Sequence, residues 1–242
     1  MSEERPSAAN PLPPTWRILC RTGGVSAAML IVYSLATMVQ LVVLGGQPAT
    51  AVEAFRLLQD NRVLGLLRLD LPTLFAMPLY YLLFLGLFAA LREADRGPVI
   101  LATGLAFAGV TLVLATPSAL SMLSLSDKYA AAATDQTRSQ LLAAGEAILA
   151  ADMWHGTGAI IGGILLQSGA VLVSVVMLRT RVFSRTTACV GIVTHGLDLA
   201  HAVLGPFVPL AGVVLMAIAG PLYLAWFPLV GRRLLRLGRD GA

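Results

Sequence analysis

The chain has 242 residues, of which 57% are apolar and 12% charged, and its mean hydropathy is +0.80. Because a water-soluble domain usually carries about a quarter charged residues, this composition excludes an ordinary soluble globule. Hydrophobic segments take up most of the length and leave no room for a separate soluble catalytic domain. The sequence therefore predicts a polytopic membrane protein.

Six apolar segments are long enough to cross a bilayer. A hydrocarbon core about 30 Å thick needs ~20 helical residues at about 1.5 Å each. Continuous apolar runs favour helices over the alternating strands of a membrane barrel. The predicted spans are residues 25–45, 71–91, 99–120, 156–178, 186–204 and 208–230. We therefore predict an all-α bundle of six transmembrane helices within residues 17–238, preceded by a disordered cytoplasmic tail at residues 1–16.

The basic residues predict the orientation of this bundle. Twelve of the 17 Lys and Arg residues flank the side that carries both termini, and five flank the other side. By the positive-inside rule, both termini lie in the cytoplasm. The preponderance of Arg over Lys, with abundant Ala and Leu, is typical of a high-GC bacterial genome, so the predicted location is a bacterial inner membrane. The C-terminal segment from Gly231 to Arg239 is predicted to lie along the inner surface. These flanking residues also explain the pI of about 9.5, so the expected partner is the lipid bilayer and not nucleic acid.

Two segments on the outer side have amphipathic patterns. Residues 50–62 place apolar side chains at helical spacing between charged ones, which predicts a short surface helix. Residues 126–152 predict a longer outer helix, capped by Ser126 and packed across the outer mouth of the bundle. Its apolar stripe comprises Leu141, Leu142, Ile148 and Leu149.

Ionisable residues gather in the predicted outer half of the bundle. At membrane depth each costs about 2.5–3.5 kcal/mol on insertion scales, so each is a candidate for function. Three of them lie three residues apart in the fifth span and share one broad face, which must look inward. The candidates are Arg68, Asp70, Asp152, His155, His195, Asp198 and His201. We predict that they line an outward-facing pocket for a small molecule or a lipid headgroup.

Other chemistries and a purely structural role fit the same residues. A divalent metal on His155, Asp198 and His201 would make a membrane hydrolase, and His155 with His201 could hold a haem. His195 and Asp198 could exchange a proton or an ion in a transporter. Polar packing in a structural membrane subunit, with Arg68 and Asp70 as an interfacial ion pair, explains them without any ligand. The sequence leaves these alternatives open, together with the identity of any cofactor and the oligomeric state.

Three stretches resemble a known family. They are SDKYAAAATDQTRSQLLAAGEAILA from Ser126, VMLRTRVFSRTTACVG from Val176 and WFPLVGRRLLRLG from Trp226. Over about residues 17–238 the chain resembles the bacterial six-span membrane proteins of the domain-of-unknown-function family 4386. The resemblance implies the six-span fold, and it implies no activity, cofactor or catalytic residue.

Overall fold

The computed structural model describes residues 13–69, 71–116 and 118–239, which form ten α-helices and no strand. The helices are α1 (Pro14–Leu44), α2 (Ala51–Asp60), α3 (Arg62–Arg68), α4 (Leu71–Leu91), α5 (Arg96–Leu114), α6 (Ala119–Ala131), α7 (Asp135–Ala150), α8 (Thr157–Arg179), α9 (Arg185–Leu204) and α10 (Pro209–Arg239). Six of the helical segments are long and apolar enough to cross a membrane, with α5 and α6 counted together. The predicted all-α, multi-pass bundle is confirmed.

The first and last spans extend further than their apolar cores. Helix α1 begins at Pro14, inside the predicted disordered tail, and residues 1–12 of that tail lie outside the described residues. Helix α10 continues unbroken to Arg239, so the predicted surface segment at the C-terminus is wrong as a separate element. Gly238 packs against Arg17 and Arg21 of α1, and this contact stabilises α10 past the end of its apolar segment.

The segment after the third span differs from the prediction. Helix α5 ends at Leu114, and the single helix predicted over residues 126–152 is wrong, because α6 and α7 share that region. Ser126 lies inside α6, where its hydroxyl donates a hydrogen bond to the Phe55 carbonyl oxygen at 3.2 Å. The cap of α7 is Thr134, whose hydroxyl accepts from the Thr137 amide at 3.2 Å. Ser126 and Thr134 are each followed by Asp and are equivalent helix-start signals, and the Ser126 that bonds to Phe55 lies within a longer helical run.

The six long helices form a closed ring. Helix α1 packs against α4 and α10, α5 packs against α4 and α8, and α9 packs against α8 and α10. The contact of Gly238 with Arg17 and Arg21 brings the beginning of α1 and the end of α10 together. We call this side of the bundle the terminal end and the opposite side the cap end.

The short helices form a compact cap with its own apolar core. The cap comprises α2, α3, α6 and α7, and its buried residues include Phe55, Leu58 and Met122. The Glu146 side chain of α7 accepts a hydrogen bond from the Ala51 amide at the start of α2, at 2.8 Å. The short helix predicted over residues 50–62 is therefore present as α2. Helix α7 packs mainly on α2 and α6, which differs from the predicted position across the mouth of the bundle.

Glycine allows the backbones of α5 and α8 to touch. A Cβ atom on Gly109 would lie 2.5 Å from the Gly162 carbonyl oxygen, and one on Gly162 would lie 2.8 Å from the Gly109 carbonyl oxygen. Gly162 belongs to the G-x-x-x-G step that begins at Gly158. Small residues at this spacing permit close helix contact in membranes, here within one chain.

Dense packing is concentrated toward the terminal end. The buried residues of α1 all lie between Cys20 and Leu30, and those of α9 lie between Thr187 and His195. Toward the cap end, the described parts of these two helices contribute no further buried residue. Helices α1 and α9 are therefore more exposed in the half that faces the cap, whereas α4, α5 and α8 keep buried residues there.

Candidate functional site

Four polar side chains from three helices meet near the middle of the bundle. They are Gln167 of α8, His195 and Asp198 of α9, and Tyr223 of α10. Gln167 lies ~15 Å along α8 from Thr157, and His195 lies ~15 Å along α9 from Arg185, at about 1.5 Å per residue. Both positions are about half-way through a hydrocarbon core of roughly 30 Å. We call these four residues the midplane cluster.

Asp198 accepts hydrogen bonds through one of its two carboxylate oxygens. The Gln167 amide nitrogen donates to Oδ2 at 2.6 Å, and the Tyr223 hydroxyl donates to the same atom at 2.7 Å. The Gln167 nitrogen also lies 3.0 Å from the Tyr223 hydroxyl oxygen. Within the described residues, Oδ1 of Asp198 has neither a hydrogen-bond partner nor an Arg or Lys partner. The carboxylate is thus held by neutral donors and is not paired with a side-chain cation.

Asp198 occupies an unusual place in the charge distribution of the chain. In the parts of the six long helices that the structure describes, it is the single carboxylic acid. The Arg residues of these helices lie within about two turns of a helix end. Asp198 also lies one helical turn beyond His195, the last buried residue of α9, and is itself half-buried. The acid therefore lies just beyond the buried part of α9, on the side that faces the cap.

The orientation of His195 follows from its contact with Gln167. Because the Gln167 nitrogen faces the accepting oxygen of Asp198, the amide oxygen faces His195, and it lies 2.8 Å from Nδ1. An amide oxygen only accepts, so Nδ1 of His195 carries the hydrogen. The remaining ring nitrogen, Nε2, is buried and has no hydrogen-bond partner in the described part of the chain. His195 is 2% exposed, so its tautomer is set through Gln167.

Aromatic rings surround the cluster on the side of α10 and α4. Trp226 packs perpendicular to His195 with ring centroids 4.4 Å apart. Tyr223 stacks on Phe227 at 5.3 Å, and Phe227 contacts the ring of Tyr80 of α4 at 6.2 Å. Tyr80 lies close enough to Asp198 to interact with it electrostatically. The carboxylate is therefore set among aromatic side chains and not among aliphatic ones alone.

His201 lies in the same helix but serves a different contact. Its Nδ1 atom lies 2.9 Å from the carbonyl oxygen of Gly212, in the first turn of α10. A Cβ atom on Gly212 would lie 2.8 Å from the Cα atom of Gly205, so the end of α9 and the start of α10 are in close contact. The predicted inward face of α9 is present, since all three of its candidates contact α8 or α10. His201 closes the α9–α10 hairpin through this contact with the Gly212 carbonyl oxygen.

Asp152 and His155 lie in the connection between α7 and α8. Asp152 is 1% exposed, and its Oδ1 atom accepts from the backbone amides of Trp154 and His155 at 2.9 Å each. The same oxygen lies 3.0 Å from Nδ1 of His155, while Oδ2 accepts from the side-chain amide of Gln47. The His155 side chain is 65% exposed. This acid ties the turn before α8 to the segment between α1 and α2.

Arg68 lies at the edge of the cap, away from the midplane cluster. Its guanidinium pairs with Glu53 at 3.0 Å and donates to the Gly46 carbonyl oxygen at 2.8 Å. The predicted partner, Asp70, lies outside the described residues. The seven predicted candidates therefore do not form one pocket, because the described six occupy the cap, the turn before α8, the α9–α10 hairpin and the midplane cluster.

The structure does not bring the predicted metal ligands together. Among the residues that it describes, no three His, Cys, Asp or Glu side chains are grouped so that they could hold a metal ion. His155 pairs with Asp152, Asp198 pairs with Gln167 and Tyr223, and His201 pairs with a backbone carbonyl. Each of the three proposed ligands is engaged at a different place.

Two members of the midplane cluster were not predicted from the sequence. Gln167 and Tyr223 carry no charge at neutral pH, so the cost of placing an ionisable group in an apolar span does not single them out. The signal was nevertheless present, because each is a hydrogen-bonding side chain near the centre of an apolar span. A mid-span Gln or Tyr must find a polar partner in a bilayer, and the acid in the next helix provides it.

No protein-family model, curated protein or solved structure matches the chain significantly. The resemblance to family 4386 stays a prediction.

Proposed function

We propose that the chain is a multi-pass protein of the bacterial cytoplasmic membrane that binds a small molecule or a lipid headgroup at the midplane cluster. In this proposal both termini face the cytoplasm and the cap faces outward, and the chain belongs to family 4386. The orientation is supported by 11 described basic residues at the terminal end against five at the cap end.

One observation carries the proposal. The Asp198 carboxylate lies near the middle of the bundle. One of its oxygens accepts two hydrogen bonds, and the other has no partner among the described residues. A purely structural acid would be expected to have both oxygens engaged, as Asp152 has in the turn before α8. A ligand that donates a hydrogen bond or carries a positive charge would provide the missing partner of the second Asp198 oxygen.

Access to this site is supported by the uneven packing of the bundle. Asp198 lies on the side of His195 that faces the cap end, where α1 and α9 contribute no further buried residues among those described. A ligand would therefore reach it from the half that the charge distribution places outside. Ligand sites formed by polar groups between the helices of a bundle are common.

The experiment compares the small molecules and lipids that copurify with the protein. Mass spectrometry would be applied to extracts of the wild type, of Asp198→Asn and of Asp127→Asn. The second variant makes the same chemical change at an exposed acid of the cap, which pairs with Arg62. We expect a species that is enriched with the wild type and with Asp127→Asn and lost from Asp198→Asn. Indistinguishable extracts from three equally folded proteins would refute the proposal.

A further inference from the structure

We propose that the ligand of the midplane cluster is an organic cation, and that its binding displaces a single proton from Asp198. This inference rests on the proposed function and names the class of ligand and its coupling to protons. It follows from two features that lie together at mid-membrane depth. The Asp198 carboxylate lacks a cationic partner among the described residues, and aromatic side chains pack beside it.

The charge balance of the site supports the cationic class. The helices that pack around Asp198 bring an amide from α8, a hydroxyl from α10 and the imidazoles of His195 and His201 from α9, and none of these is a permanent cation. A bare carboxylate in an apolar surrounding is strongly unfavourable, so the acid is stable when it carries a proton or when a cation lies beside it. The site is therefore neutral in two forms, one with a proton on Asp198 and one with a cation beside the carboxylate. The two forms cannot be present at the same time.

The geometry leaves one position for both the proton and the cation. Oδ2 already accepts two hydrogen bonds, from Gln167 at 2.6 Å and from Tyr223 at 2.7 Å. Oδ1 has no partner among the described residues and is the free acceptor. A proton on Oδ1 leaves the contacts of Oδ2 and His195 unchanged, so the cluster can exchange the proton for a cation without rearranging its hydrogen bonds.

The aromatic side chains fit an organic cation better than a metal ion. Tyr223 and Phe227 stack at 5.3 Å, and Tyr80 completes the group at 6.2 Å from Phe227. Aromatic faces attract alkylammonium and similar cations through their π electrons, whereas a metal ion requires several ligating oxygen or nitrogen atoms. Phe227 is 1% exposed and stacks on Tyr223, so the ring surfaces left for a ligand are those of the partly buried Tyr223 and Tyr80. The described residues provide no group of three metal-ligating side chains.

The exchange step balances in charge and in protons. The site begins as a protonated carboxyl group, and the cation arrives from water or from the bilayer. The O–H bond of Asp198 breaks, its proton leaves to water, and the carboxylate forms an ion pair with the cation. The other titratable groups that face the acid are Tyr223 on α10, Tyr80 on α4, and His195 and His201 on α9. Helix α8 presents the neutral amide of Gln167.

The test measures binding of tetraphenylphosphonium, whose charge does not change with pH, to the purified full chain. Flow dialysis would give the affinity at several pH values, and a pH indicator in weak buffer would record proton release. Because the proton and the cation compete for one carboxylate, the affinity should fall by about tenfold per pH unit of acidification where the protonated form predominates. In the same pH range, wild type and Asp127→Asn should release about one proton per bound cation. Asp198→Asn should show neither the pH dependence of the affinity nor the proton release.

Two results would overturn the inference. Binding with a pH-independent affinity and no released proton would show that the cation does not exchange with a proton. Absence of tetraphenylphosphonium binding to the wild type at every pH would exclude the organic cation as the ligand class. Neither result decides the proposed function, because the copurification experiment detects neutral ligands as well. Equal thermal unfolding midpoints of the three proteins would show that the variants are folded.

Discussion

Asp152 shows what a structural acid looks like in this protein. It is buried in the turn before α8, and its two oxygens accept hydrogen bonds from two backbone amides and from the Gln47 side chain. It also contacts His155 at 3.0 Å. Every contact joins connecting segments of the chain, so this acid stabilises the fold and offers no free acceptor to a ligand.

Replacing Asp152 should therefore reduce stability. Asp152→Ala leaves two backbone amides and an amide side chain without an acceptor, which costs on the order of 1–3 kcal/mol per buried unsatisfied group. We expect a clearly lower thermal unfolding midpoint in detergent. Asp152→Asn keeps one accepting oxygen and should lose less. An Asp152→Ala protein as stable as the wild type would show that these hydrogen bonds contribute little.

Sequence reasoning found the charged members of the midplane cluster and missed the neutral ones. Asp198 and His195 were recognisable because an ionisable group within an apolar span is costly. Gln167 and Tyr223 became visible only when the packing of α8 and α10 against α9 was known. The separation of Asp152, His155 and Arg68 from the cluster could not be predicted, since apparent depth along a span does not fix which helices are neighbours.

Among the helices, length and hydropathy predicted the spans well. Residues 71–91, predicted as the second span, coincide with α4. The fourth predicted span differs from α8 by one residue at each end, and the fifth differs from α9 by one residue at its start. The apolar signal is strong because a bilayer requires about 20 such residues in each span. The extension of α1 and α10 depends on their mutual packing at Gly24, Gly231 and Gly238, which hydropathy does not record.

The cap was harder to predict than the spans. Its helices are short, and its core comes from segments far apart in sequence, such as Phe55 and Met122. The break between α6 and α7 depends on which of several Ser and Thr residues acts as the helix cap, and local sequence offered Ser126 as well as Thr134. Alternatives of this kind are decided by tertiary contacts, here the hydrogen bond from Ser126 to the Phe55 carbonyl oxygen.

Over the whole molecule, the two ends of the bundle differ in charge and in structure. The terminal end holds the dense core and most of the arginines, and the cap end holds the short helices and the open side of the midplane cluster. This asymmetry makes the orientation in the membrane decisive for access to Asp198. A ligand from outside the cell would meet the cap end only if the termini are cytoplasmic.

Cysteine labelling in intact bacterial cells tests this orientation. The cysteine of Asp135→Cys, at the start of α7, should react with a membrane-impermeant maleimide added from outside. The cysteine of Arg236→Cys, near the end of α10, should react only after the membrane is permeabilised. Both native cysteines would be replaced by serine for this purpose, and unchanged thermal unfolding would show that the background is folded. The reverse labelling pattern would place the cap in the cytoplasm.

The central claim is that Asp198 is an accessible acid that exchanges its proton at mid-membrane depth. The most direct measurement is its reaction with dicyclohexylcarbodiimide, an apolar reagent that modifies protonated carboxyl groups. Mass spectrometry of the labelled protein in membranes should find the adduct on Asp198, with less adduct at higher pH and less in the presence of tetraphenylphosphonium. An Asp198 that reacts only after the protein is unfolded would contradict the account and make this acid a structural one.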